Sequence, residues 1–293
     1  MKVSVTRIGT SVDRLGESPH WDEETGSLYW IDAVEGIVRS FHLVTGRTAE
    51  WRLPPPVGSM ALGTTNTAIA ALKEEFALVD LAEGGVRTLR GIDVDHPDVR
   101  INDGKADRAG NFVAGTMHTG RLEGEAPLGG IYRVRPGGRL ERLADGFGVA
   151  NGPCFSPSGG TLYIADTSTR KMWAFDYAPD APLGEKRLFV DTDALGSGID
   201  GATVDAEGCL WGVLVRAGKV ARFTPAGRLD RLIDMPVTHP TSLAFGGPDL
   251  DLLFVTSLSR SANLQANEAE AGGLFAVEGL GVRGLPASRF GRA

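Results

Sequence analysis

Asn151-Gly-Pro-Cys-Phe155-Ser156 leads through the turn Ser158-Gly159-Gly160 into the apolar run Leu162-Tyr-Ile-Ala165. The same pattern recurs on both sides of it. Upstream, Glu17-Ser-Pro-His-Trp21-Asp22 runs through Thr25-Gly26 into Leu28-Tyr-Trp-Ile31, and Asn102-Asp-Gly-Lys-Ala106-Asp107 runs through Ala109-Gly110 into Phe112-Val-Ala-Gly115. Downstream, Asp200-Gly-Ala-Thr-Val204-Asp205 passes Glu207-Gly208 and enters Leu210-Trp-Gly-Val213. Two weaker copies begin at Ser59 and Thr241. Each unit is a leading residue, an apolar residue four positions later, a turn and a buried strand.

The leading residues fall at 17, 59, 102, 151, 200 and 241, so successive copies stand 42, 43, 49, 49 and 41 residues apart. A period of roughly 40–50 residues made of short strands and turns is the signature of propeller blades. Later strands of the units are visible in Ile37–Phe41, Gly130–Val134, Met172–Phe175, Val220–Phe223 and Gly273–Val277. A β-helix needs shorter coils than these, and a pair of sandwiches lacks a linker. The expectation is an all-β, six-bladed β-propeller occupying residues 1–293 as one domain. Val3–Ile8 alternates like a strand and is expected to complete the last blade, so that no sheet edge stays open.

Composition agrees. Forty Gly and sixteen Pro are spread without a low-complexity block, which suits many tight turns and argues against long helices. The net charge of −7 comes with signs interspersed, so no basic stripe points to nucleic acid. No apolar run approaches a membrane span and no signal-peptide core follows Met1, so a soluble cytoplasmic protein without a membrane partner is expected. Cys154 and Cys209 form neither a CxxC pair nor a disulfide framework and read as small core residues. Trp21, Trp30, Trp173 and Trp211 read as packing residues, and the histidines show no zinc spacing.

In a propeller the first strand of each blade lines the central channel, so the leading residues form a ring. That ring holds Glu17, Ser59, Asn102, Asn151, Asp200 and Thr241. Asn or Asp before Gly is an ordinary turn former, but turns need not recur at one repeat position, and Glu17 has no such role. Carboxylate and amide oxygens without sulfur favour a hard divalent cation, Ca²⁺ first, with Mn²⁺, Mg²⁺ or Zn²⁺ as alternatives. Such an ion polarises a carbonyl and acidifies a bound water.

Leu15-Gly-Glu-Ser-Pro-His-Trp21, Arg100-Ile-Asn-Asp-Gly-Lys105, Gly115-Thr-Met117, Asn151-Gly-Pro153 and Asp200-Gly201 together resemble the senescence marker protein/regucalcin/gluconolactonase family over nearly the whole chain. The resemblance implies a six-bladed propeller that hydrolyses a sugar lactone with one divalent metal. It implies Glu17, Asn151 and Asp200 as metal ligands, Asp200 also as catalytic base, and Arg100 and Asn102 as contacts to the sugar hydroxyls. Some members carry a substrate-binding glutamate three residues after the Gly-Thr-Met motif, where this chain has Gly120. His118 is the expected substitute, against the plainer reading of a surface histidine at a strand end. Arg100 has a rival reading as an ion-pair partner of Asp93, Asp95 and Asp98. The stretch Arg121–Pro127 is read either as a lid over the channel or as an ordinary hairpin loop. Two other functions stay open: a metal-dependent phosphotriesterase with Asn102 in the metal shell, and a calcium-binding propeller without catalysis.

Overall fold

The computed structural model describes residues 2–93 and 96–292. Among them, six four-stranded antiparallel sheets follow one another around an axis. The innermost strands are Gly16–Asp22, Ser59–Leu62, Val99–Ala106, Ala150–Phe155, Ile199–Val204 and Pro240–Gly246. Each of these strands packs against the next, and the first also packs against the last. The six leading residues all lie on them, as the repeat register requires.

Five sheets are simple meanders, because a short turn after each strand leaves antiparallel pairing with its predecessor as the nearest way to satisfy the backbone. The sixth is composite: Pro240–Gly246, Leu252–Ser257 and Leu274–Glu278 are completed on the outside by Ser4–Ile8. Ser4 pairs with Glu278 and Ile8 with Leu274. The expected closure of the ring by the N-terminal strand is therefore present. A small ribbon, Arg260–Ser261 with Leu264–Gln265, hangs from the last blade.

The core is divided as the fold demands. Six apolar clusters occupy the six gaps between neighbouring blades. Trp211 and Val213 of the fifth blade meet Leu243, Leu253 and Phe275 of the sixth. Trp21 stacks on Phe254 across the gap between the sixth blade and the first, with ring centroids 5.7 Å apart. Fully burying one such side chain contributes about 1.5–3 kcal/mol, so every gap is a substantial seam. Trp21, Trp30 and Trp211 are buried and Trp173 packs partly buried against its cluster, which are the packing roles expected of them. Cys154 and Cys209 are buried and unpaired. No helix of the described residues is long and apolar enough to cross a membrane.

One irregularity recurs at the repeat position that matters. The innermost strand breaks register with its neighbour between Glu17 and His20, Ile101 and Gly104, Asn151 and Cys154, Ile199 and Ala202, and Pro240 and Leu243. Ser59–Leu62 alone pairs without a break. A bulge adds a residue, bends the strand and re-aims side chains. Here it falls on or beside the leading residue in five blades of six.

Candidate active site

Glu17, Arg100, Asn102 and Asp200 each keep an exposed edge, whereas Asn151 and Asp103 are buried. The blades bring them together at one end of the channel. Glycine makes the approach close enough. A Cβ on Gly152 would sit 2.6 Å from the Asp200 carbonyl oxygen, and one on Gly58 would sit 2.6 Å from that of Asn102. The Gly that follows Asn151 is thus required by the neighbouring blade, and its φ of +55° suits glycine as well.

A chain of hydrogen bonds orders the amides. Arg100 Nη1 donates to Asn102 Oδ1 at 3.0 Å and to the Ile101 carbonyl at 2.9 Å. Asn102 Nδ2 donates to Asn151 Oδ1 at 2.5 Å and to the Ala150 carbonyl at 3.0 Å. Asn151 Nδ2 in turn donates to Thr167 Oγ1 at 2.9 Å, and Thr167 Oγ1 donates to the Ile199 carbonyl at 2.6 Å. Because the threonine hydroxyl spends its only proton on Ile199, it must accept from Asn151. That fixes the amide with its nitrogen toward Thr167 and its oxygen on the Asn102 side.

The carboxylates are crowded. Burial, and then the charges of Asp200 and Asp103, hold Glu17 well above the ordinary carboxylate range, with Arg100 opposing weakly. Burial and then Asp103 raise Asp200 to about 8, again opposed by Arg100. Asp103 rises to about 6 through burial, restrained by Lys105 and by the N–H groups of Gly152 and Gly104. Those bonds measure 2.9 and 2.8 Å, and the one from Gly152 clamps the third innermost strand to the fourth. Three acidic groups therefore face two cations, Arg100 and Lys105. Two carboxylates and an oriented amide oxygen, short of positive charge, are a donor set that fits a hard divalent ion.

Sequence reasoning did not single out Asp103 or Thr167. Asp103 carried a signal, lying inside the bulge between two residues already chosen, but it was absorbed into the Asn-Asp-Gly turn. Thr167 lies outside the repeated register, after the second strand of the fourth blade, and nothing in its neighbours marks it. Arg100 makes no ion pair with Asp93 or Asp98; Asp95 lies outside the described residues. Arg100 pairs across the strands with Met117, and His118 pairs with Val99. Along a strand, side chains alternate between faces, so His118 stands on the face away from Arg100 and Met117. Its ring meets His96 edge-on at 5.2 Å, and its buried Nδ1 has no partner among the described residues. Gly120 has φ +67° and open space where a Cβ would be. The Arg121–Pro127 segment is tied to itself by Arg121 Nη1 on the Glu125 carbonyl and by the Leu122 N–H on Glu125 Oε2.

A second group of metal-type side chains, Asp205, Glu207 and Cys209, sits in the turn after the innermost strand of the fifth blade. Asp205 Oδ2 there already accepts from Arg222 Nε, Arg222 Nη2 and Trp211 Nε1, and Glu207 takes Arg222 Nη2 as well. The guanidinium occupies the place of a cation, so this cluster holds the blade together.

Residues 15–259 match the model of the SMP-30/Gluconolactonase/LRE-like region. The chain is 32% identical to regucalcin of Gallus gallus over 290 residues, covering 97% of each protein. Among solved structures it superposes on a calcium-binding protein, regucalcin, from Agrobacterium tumefaciens with a TM-score of 0.88 at 28% identity, covering 97% of this chain and 96% of the other. It also superposes on a luciferin-regenerating enzyme with a TM-score of 0.90 at 25% identity, covering 98% and 99%.

Proposed function

This chain belongs to the SMP-30/gluconolactonase/LRE-like family, and we propose from its channel site that it hydrolyses a sugar lactone to the corresponding aldonic acid. The observation that carries the reading is the meeting of Glu17, Asp200 and Asp103 beside the oriented Asn102–Asn151 pair. Glu17, Asn151 and Asp200 would hold one divalent cation, with Ca²⁺ favoured by the all-oxygen donors. When bound, the cation supplies Lewis acidity to the lactone carbonyl and stabilises negative charge developing on its oxygen.

The remaining work falls to side chains. Asp200, whose carboxylate keeps an exposed edge at the site, takes the part of the general base. It takes a proton from the attacking water as that oxygen bonds to the acyl carbon. It returns the proton to the ring oxygen as the acyl–oxygen bond breaks, leaving a hydroxy acid that ionises in water. Arg100 and Asn102, each with an exposed edge, orient the sugar hydroxyls and with them the carbonyl. His118 is kept as the candidate for the contact that Gly120 cannot make, on the strand face away from Arg100. No redox or group-transfer cofactor enters this chemistry.

The test is a panel of aldonolactones assayed on chelated protein and after return of Ca²⁺, Mn²⁺, Mg²⁺ or Zn²⁺. Asp200→Asn should abolish turnover in every condition. Full activity in chelated protein, or no lactone turned over with any ion, ends the proposal. The calcium-binding relative supports a second reading, cation binding without catalysis. It predicts tight Ca²⁺ uptake alongside an inert lactone panel.

A further inference from the structure

The repeat that builds the carboxylate ring builds a second ring further down. Three or four residues beyond five of the six leading positions lie His20, Lys105, Ala106, Cys154, Phe155, Thr203, Val204, Ala244 and Phe245, all lining one cavity of about 80 Å³. At a rise of roughly 3.3 Å per residue this cavity sits about 10–13 Å from the carboxylates along the channel. Its floor is the chain segment Leu285–Ser288, which crosses the end of the channel opposite the carboxylates. The segment is pinned on both sides, by the Gly284 N–H on the Leu250 carbonyl at 2.7 Å and by the Phe290 N–H on the Leu62 carbonyl at 2.9 Å.

The polar groups here are short of partners. Lys105 Nζ donates to the Ala202 carbonyl at 2.9 Å and makes no ion pair among the described residues. The nearby Asp103 has both oxygens engaged by backbone N–H groups. His20, only 8% exposed, has a buried Nε2 without any partner. Arg108 lines the cavity and is likewise unpaired among the described residues. The cavity continues into a groove of about 430 Å³ that shares Arg108 and Pro286–Ser288 with it. Trp21 lines that groove at 4% exposure, and its indole N–H is also unpartnered. An indole N–H can only donate. Of the acids along the groove, Glu24 is paired with Arg292 and Arg289, and Glu23 lies at the outer lip. Among the described residues no carboxylate lines this cavity, and Asp103 meets His20 and Lys105 in a smaller pocket of about 20 Å³ beside it.

We propose that the floor of the channel is a second binding site, for a small inorganic anion held by Lys105 and His20 and approached past Arg108 and Trp21. An unpartnered buried Nε2–H is costly; an anion accepts from it and gives Lys105 a second negative neighbour beside Asp103. The positive field that would attract it is already registered by His20, whose imidazole is pushed down to about 3 by burial and then by Arg289 and Lys105. The volume suits a halide or a phosphate and is too small for a sugar, so this ligand differs in kind from the one expected at the carboxylate end.

Bromide is the probe. Crystals of the full chain with its divalent ion, grown without halide and soaked in sodium bromide, should show an anomalous peak touching Lys105 Nζ and His20 Nε2. In solution the protein should broaden the chloride-35 resonance, and inorganic phosphate should reverse the broadening. Lys105→Met should weaken halide affinity about tenfold or more, and Arg108→Gln, an exposed change that leaves the fold intact, should weaken it by a smaller factor. Water without anomalous signal in the cavity, or bromide confined to the carboxylate end, overturns the proposal. So does a cavity peak undiminished in Arg108→Gln and in folded Lys105→Met.

Discussion

Thr167→Val separates the arrangement of the site from its composition, because the substitution touches no expected ligand and keeps the side chain's shape. It removes two hydrogen bonds, the 2.9 Å bond from Asn151 Nδ2 and the 2.6 Å bond to the Ile199 carbonyl. Each is worth about 0.5–1.5 kcal/mol net, so the fold should lose roughly 1–3 kcal/mol. The effect on the cation follows separately. In the native protein, turning the Asn151 amide over would cost the Thr167 bond and also set its nitrogen against the Asn102 nitrogen. In the variant only the second penalty remains, and the amide can present a donor where an acceptor is needed. Partners that orient a metal ligand typically control 10–100-fold in affinity. With Asn102 still in place we expect the lower end, about tenfold, or roughly 1.4 kcal/mol. Calorimetric titration of chelated protein with Ca²⁺ reads this directly, with a urea midpoint measured in parallel. Thr167→Ser, which restores the hydroxyl, should recover native affinity. A Thr167→Val protein that binds Ca²⁺ as tightly as the native one would show that the amide's orientation is not set by this bond.

Three further outcomes are expected. His20 titrates near 3 in the folded chain against about 6.5 unfolded, so as pH falls below 6.5 the unfolded state binds a proton that the native state does not. Stability in anion-free buffer should then drop by about 1.4 kcal/mol per pH unit, and His20→Gln should flatten that slope in urea titrations at pH 7 and pH 5; equal slopes would count against it. Burial pushes the Cys154 thiol up to about 12 and raises that of Cys209 too. Neither should react quickly with a thiol reagent at pH 8 until the protein is denatured, and fast labelling of the native protein would contradict the packing around them. Gly152→Ala places a Cβ 2.6 Å from the Asp200 carbonyl oxygen and 2.9 Å from the Ala202 Cβ. It should cost about 1–3 kcal/mol and reduce lactone turnover; an unchanged urea midpoint would refute the close approach of the two blades.

What could be read from the chain divides along a physical line. The blades were legible because repetition writes the same apolar and turn positions six times, so weak copies such as that at Ser59 borrow certainty from strong ones. The leading ring was legible because register converts sequence spacing into position around an axis. The neighbours that orient it were not. Asp103 acts through backbone N–H groups of its own and the adjoining strand, a contact between blades that no single repeat encodes. Thr167 reaches Asn151 from a loop outside the repeat altogether. His118 shows another limit: spacing two residues before Gly120 marks it as a candidate, but only the strand pairing says that it stands on the face away from Met117. The recurring bulge, which aims the leading residues, was invisible because an extra residue in an irregular strand resembles ordinary variation in length.

The composite last blade has a kinetic consequence. Ser4–Ile8 finds its partner only in Leu274–Glu278, beyond all five other blades along the chain, so this strand stays unpaired until the last blade has been made. Five sheets can form from local turns while the sixth lacks its outer member, and pairing across such a separation is slow. The joint between first strand and last blade is therefore where a half-folded ring stays open, and where its exposed edge is most available to another chain.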